Sequence, residues 1–146
     1  MNRIVVGIDG SAESKDTLRW AVAEAKLRGA ALRVVHAWAP PYIAAGPGLD
    51  PALDTQMIED VRRKAEELVE RELSALGDEA AGVDIERAVV DGAPAPTLIE
   101  AAEGSDLLVV GSRGHGGFAG LLLGSVSQQC AHHAPCPVVI VRPPAD

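Results

Sequence analysis

The sequence predicts an α/β fold: one doubly wound parallel sheet of five strands in the order 3-2-1-4-5, with helices on both faces. Three observations predict it. Strand-like and helix-like segments alternate along the 146 residues as β-α-β-α-β-α-β-α-β. Several strand-like runs are apolar throughout, as strands covered on both faces require. Right-handed crossovers then wind the chain outward in both directions from the first strand.

Arg3–Ile8 (RIVVGI) is a β-branched run and the first strand. Gly10-Ser11 ends it, and Ser11 or Ser14 can cap the helix that runs to about Arg28, with Gly29 as its stop. Leu18, Val22 and Ala25 share one face of that helix. Leu32–Trp38 (LRVVHAW) is the second strand. Ala39–Leu53, with Pro40, Pro41, Pro47, Pro51, Gly46 and Gly48, is expected to be a long surface loop. Asp54–Leu76 is a long amphipathic helix with Ile58, Val61, Ala65, Leu68 and Leu76 inward and charged pairs such as Glu59–Arg63 and Glu67–Arg71 outward. Val83–Val90 alternates as a third strand, and Pro94–Glu103 is a short helix with proline in its first turn. Leu107–Gly111, Ser125–Ala134 and Pro137–Arg142 complete the series as strand, helix and strand.

Length favours one domain over residues 1–146 with a buried core. Aromatics make up 3% of the chain, so that core must be Ala, Val, Leu and Ile. A net charge of −8 argues against non-specific binding to nucleic acid or to an anionic membrane. No apolar run is long enough to span a bilayer, and no signal-peptide h-region opens the chain. Cys130 and Cys136 cannot build a disulfide framework, so a cytoplasmic location is expected.

The chemistry is expected at the switch point between the first and fourth strands, where such sheets bind ligands. Asp9 ends the first of these strands. The fourth enters VVGSRGHGGFAGLLLGSVSQQ, residues 109–129, in which six of twenty-one residues are glycine. Gly111-x-x-Gly114, nine residues, then Gly124-Ser125 is the pattern. Glycine lets a ligand approach the backbone and permits positive φ. Successive N–H groups in such a turn form an anion nest, and a helix opening at Gly124-Ser125 adds unsatisfied donors and partial positive charge. Ser125 can cap that helix or contact phosphate, and Arg113 and His115 can add side-chain charge. A P-loop is excluded because the stretch has no lysine. Gly114, Gly116 and Ala119 match G-x-G-x-x-A, but this follows the fourth strand and lacks the later acidic residue that a dinucleotide fingerprint requires. A glycine-rich connecting loop without a ligand is the plain alternative.

The pattern G-x-x-G-x9-G-[ST], set between LLVVG and PCPVVIVR, resembles the universal stress protein family. The resemblance covers essentially the whole chain, from RIVVGIDGS through LRVVHAW, DGAPAPTLIEAA and SDLLVVGSRGHGG to the last strand. It implies the ATP-binding branch of that family, a homodimer and a role in stress response or signalling. It further implies that Asp9 meets the ribose or the metal–phosphate end and that the Ala37 backbone recognises the adenine edge. Gly111, Gly114, Gly124, Ser125 and Val126 then form the phosphate and ribose loop, with Mg²⁺ accompanying ATP and Asp9 among its ligands.

Other residues have plainer readings. Asp9 could be only a turn residue before a helix. His36 fits a core or near-core position, and His115 could be merely solvated. Cys130-x-His132-His133-x-x-Cys136 invites a zinc reading, yet Cys136 lies between two prolines at a strand entry, and small core residues suit both cysteines better. Trp20 and Trp38 suit packing. Two alternatives to a nucleotide-binding regulatory module stay open: a slow ATPase or nucleotidyl-transfer enzyme, and a structural dimer with an unused cradle. The absence of a P-loop lysine and of a Walker-B-like acid leans toward binding. The last strand, with Val138, Val139, Ile140 and Val141, is an apolar edge that a second copy can pair with.

Overall fold

A computed structural model describes residues 2–39, 51–112 and 123–143, the side chains of 51–54 apart. The elements are β1 (Arg3–Gly7), α1 (Ala12–Arg28), β2 (Ala31–Trp38), α2 (Pro51–Leu76), a 3₁₀ turn (Gly77–Ala80), β3 (Ile85–Asp91), α3 (Pro94–Ala101), β4 (Leu107–Gly111), α4 (Ser125–His133) and β5 (Val138–Val141). All pairings are parallel, and the order is β3-β2-β1-β4-β5, as the alternation and apolar runs predict.

Successive residues of each strand feed opposite layers. Ile4, Val6 and Ile8 of β1 and its extension, Leu32 and Val34 of β2, and Leu107 and Val109 of β4 pack with Leu18, Ala21, Val22 and Ala25 of α1 and Val69, Leu73 and Leu76 of α2. Val5, Val35, Leu108 and Val110 face the other way, onto Leu98 and Ala102 around α3 and Cys130 of α4. The period of two in the strands thus divides the core into two layers. Gly7 permits the close approach of α3: a Cβ there would stand 2.7 Å from one Cδ of Leu98.

Three expectations need correction. α2 begins at Pro51, not Asp54, so the end of the expected loop is helical. Proline at a first helical position loses no backbone bond, and its fixed φ suits the helix. The rest of that loop, Pro40–Asp50, lies outside the described residues. On the same helix, Ala65 and Leu76 are buried, but Val69, Leu73 and the charged Glu72 share the inner face, whereas Ile58 and Val61 are only partly covered. Arg63 pairs with Asp60 at 3.4 Å instead of Glu59, and Arg62 with Glu66 at 3.4 Å. All four side chains are exposed, where geometry is loosely held and such pairs contribute little.

The two sheet edges differ. β3 carries Glu86, bonded to Arg33 at 3.0 Å, and Arg87, paired with Glu70 of α2. β5 is VVIV with every residue half-buried. No helix among the described residues is long and apolar enough to cross a membrane.

Candidate functional site

β1 and β4 are neighbours, paired from Ile4↔Leu107 to Val6↔Val109. β1 and β2 pair from Arg3↔Ala31 to Gly7↔Val35. Asp9 follows β1, Ala37 lies near the end of β2 and Ser112 follows β4, so all three stand at the carboxyl end of adjacent strands.

The β1–α1 turn is built around Asp9. Gly10 has φ +82°, which a side chain would oppose. The Asp9 Oδ1 accepts the Ser11 N–H at 2.9 Å, closing an Asx turn. The Asp9 N–H donates to Ser14 Oγ at 3.2 Å, and the Ser14 N–H to the Ser11 carbonyl at 3.1 Å. Ser11 occupies the N-cap of α1 by its backbone, but its hydroxyl makes no cap bond. Beside the turn, His36 donates from Nδ1 to the Ile8 carbonyl at 2.9 Å, which ties β2 to the end of β1.

The end of β4 is tied to α4. Ser112 is buried, and its N–H reaches the Val141 carbonyl at 2.9 Å. Its own carbonyl accepts the Gly124 N–H at 2.6 Å and the Ser127 hydroxyl at 3.1 Å. That hydroxyl also lies 2.9 Å from the Gly124 carbonyl. The two residues flanking the glycine-rich segment are thereby clasped together by Ser127, which the motif alone did not single out. Ser127→Ala is expected to lower stability by about 1–2 kcal/mol, since it removes a buried bond and strips the Ser112 carbonyl of one donor. Chemical denaturation of the variant measures this.

Gly124, not Ser125, is the N-cap of α4, with φ −75° and no side-chain cap bond. That φ suits any residue. The helix therefore opens with the N–H groups of Ser125, Val126 and Ser127 lacking intrahelical acceptors. The Ser125 hydroxyl, expected as a cap or phosphate contact, accepts from Gln129 Nε2 at 3.2 Å. Val126 turns its side chain onto the second core layer and can offer a ligand only its main chain. Gly111 ends β4 beside Val141. Arg113, Gly114 and His115 lie outside the described residues.

The remaining candidates separate from this crevice. Cys130 is fully buried, and burial pushes its thiol up to about 11. Burial, then the charge of Asp106, raises Cys136. Trp20 packs against the first core layer, as expected. Among the described residues no group of three or more His, Cys, Asp or Glu side chains is placed to hold a metal. An open cavity of about 350 Å³, lined by Asn2, Ile4, Arg28, Ala30 and Asp106, lies at the amino end of the sheet, away from the switch point. Asp106 is already engaged there by the Arg3 N–H at 2.8 Å.

The described residues define a doubly wound parallel α/β fold with Asp9, Ala37, Ser112 and the first turn of α4 at the carboxyl end of its central strands. The chain belongs to the universal stress protein family, whose model matches residues 1–142. It is similar to universal stress protein Rv1996 of Mycobacterium tuberculosis, at 39% identity over 145 residues, covering 98% of this chain and 44% of that protein. It thus spans less than half the length of that relative. It resembles a universal stress protein solved in complex with cAMP, at 31% identity and TM-score 0.65, covering 97% and 96% of the two chains. The universal stress protein UspA from Lactobacillus plantarum shares the fold, with TM-score 0.78, 22% identity and 97% coverage of both chains.

Proposed function

We propose that this chain binds an adenine nucleotide at the β1–β4 switch point, ATP with Mg²⁺ by the glycine pattern, and serves as a homodimeric regulatory module in stress response or signalling. The observation that carries the reading is the convergence of Asp9, Ala37 and the open first turn of α4 at one end of the sheet. Main-chain donors of Ser125, Val126 and Ser127 suit phosphate oxygens. The Asp9 carboxylate suits a ribose hydroxyl or the metal, and the Ala37 backbone the adenine edge. Gly111, Arg113, Gly114 and His115 would complete the cradle. Asp9 supplies a hard oxygen donor, so Mg²⁺ there would take most of its ligands from phosphates and water. The relative solved with cAMP supports an adenine nucleotide as the ligand class.

Mass spectrometry of small molecules released from freshly purified protein tests the reading, followed by calorimetry with ATP, ADP and cAMP. An adenylate is expected in the first, and saturable heat in the second. No adenylate and no heat would reject it. Turnover, if any, should be slow, and a phosphate-release assay measures that.

The homodimer would form through β5. Val138, Val139, Ile140 and Val141 present an apolar edge without the charged pairs that guard β3. Two copies related by a twofold axis can pair these edges antiparallel. Sedimentation is expected to show a dimer at micromolar concentration, and Val139→Lys combined with Val141→Lys a monomer. A parent monomer, or a dimer unmoved by the double substitution, would overturn this.

A further inference from the structure

The β1–β2 ladder stops short of the crevice, and a side chain stands where it stops. Alternate residues of β2 bond to opposite neighbours, as a strand between two others requires. On the β1 side the Ala31 N–H donates to the Asn2 carbonyl at 3.1 Å, and the Val35 carbonyl accepts the Ile8 N–H at 3.0 Å. On the β3 side the Leu32 N–H donates to the Asp84 carbonyl at 2.8 Å, and the Trp38 carbonyl accepts the Gly92 N–H at 2.9 Å. Ala37 follows Val35 by two residues, so its N–H and carbonyl turn toward β1.

A regular ladder would continue with the Ala37 N–H on the Ile8 carbonyl. The β1–β2 register instead ends at Gly7↔Val35, and among the described residues no main-chain carbonyl accepts the Ala37 N–H. The Ile8 carbonyl is bonded by His36 Nδ1 at 2.9 Å. Directly after Ile8 the chain turns out of the sheet through Asp9 and Gly10, the latter at φ +82°. Leaving a strand N–H without a ladder partner costs stability, and sheets seldom do so. A half-buried apolar residue at position 36 would let the ladder close, so packing alone does not account for the imidazole.

We propose that His36 is a positioning residue: by holding the Ile8 carbonyl it ends the β1–β2 ladder and keeps the Ala37 N–H open to an acceptor atom of a ligand in the crevice, such as a ring nitrogen of adenine. The consequence for affinity rests on the nucleotide reading above; the hold on the ladder does not. Because its acceptor is a carbonyl, the ring must carry a proton on Nδ1.

The test compares His36→Leu and His36→Asn in the full chain. Leucine removes the donor, whereas the asparagine amide nitrogen can take the place of Nδ1. Amide hydrogen exchange without nucleotide reads the ladder directly. In His36→Leu the Ala37 N–H should close on the freed carbonyl and exchange about tenfold more slowly, the gain of roughly one hydrogen bond. A side chain that merely braced the sheet would give the opposite sign, faster exchange on its loss. His36→Asn should exchange as the parent does. With ATP and with cAMP as probes, His36→Leu should bind about tenfold more weakly, and His36→Asn within about twofold of the parent. Nitrogen NMR of the parent should show the neutral His36 ring protonated on Nδ1. Unchanged or faster Ala37 exchange in His36→Leu overturns the proposal. So does a neutral ring protonated on Nε2, which needs no variant to fold. If the parent binds neither nucleotide, the functional reading fails, and exchange and tautomer alone decide whether His36 holds the ladder open.

Discussion

Gly124→Val is expected to abolish nucleotide binding, weakening it by at least about a hundredfold, or some 3 kcal/mol. Gly124 is buried at the N-cap of α4, its N–H held 2.6 Å from the Ser112 carbonyl. A branched side chain at this point has to displace its surroundings or project over the open N–H groups of Ser125 and Val126. Either outcome removes the anion's approach to the backbone. Overpacking and a poorer cap should together cost about 1–3 kcal/mol of stability, leaving the chain folded. Gly114→Val, at the second glycine of the pattern, is expected to match it. Ser125→Ala is the control: its hydroxyl serves Gln129, so binding should weaken by no more than about 1 kcal/mol. Calorimetry gives the ranking, and thermal melts separate lost binding from lost structure. Parent-like affinity in both glycine variants would place the cradle elsewhere.

Leu108→Ala should have the largest effect on stability, a loss of about 2–5 kcal/mol. Leu108 is fully buried in β4, in the layer formed with Val5, Val35, Leu98, Val110 and Cys130. Its neighbours belong to two other strands and two helices' packing, so they cannot all close on the space it vacates. For a chain of this size the loss corresponds to a drop in melting temperature of roughly 10 °C. Because Ser112 directly follows β4, nucleotide affinity should also fall, but through disorder of the strand end. Saturating nucleotide would then recover part of the lost stability by linkage. A melting temperature within a degree or two of the parent would contradict the packing described.

The sheet order was legible because each central strand is apolar on both sides and each crossover has room for a helix. The location of the crevice followed from that order. What sequence periodicity missed has a common cause: polar residues doing core work. Position 72 falls one helical step from both Leu68 and Leu76, so spacing alone places it inward. Its being glutamate hides this, since ionisable residues are seldom buried. Ser127 was passed over because the motif draws attention to Gly124 and Ser125. The available signal was a hydroxyl in the first helical turn, positioned to bond back to a carbonyl three residues earlier. The first turn of α2 was missed for the opposite reason. Pro51 follows a run rich in proline and glycine, and composition there outweighs the helix-starting role of the proline itself.

The unlike edges of the sheet carry a consequence for stoichiometry. A sheet with two bare edges has a valence of two and can polymerise strand to strand without limit. The proposed dimer would occupy the VVIV edge of β5 and leave β3, which carries Glu86 and Arg87, as the remaining edge of each copy. If β5 pairs as proposed, edge-to-edge growth that starts there would end with the second copy. In such a pair both β5 edges would be used up, so raising the concentration should saturate at pairs instead of seeding fibres.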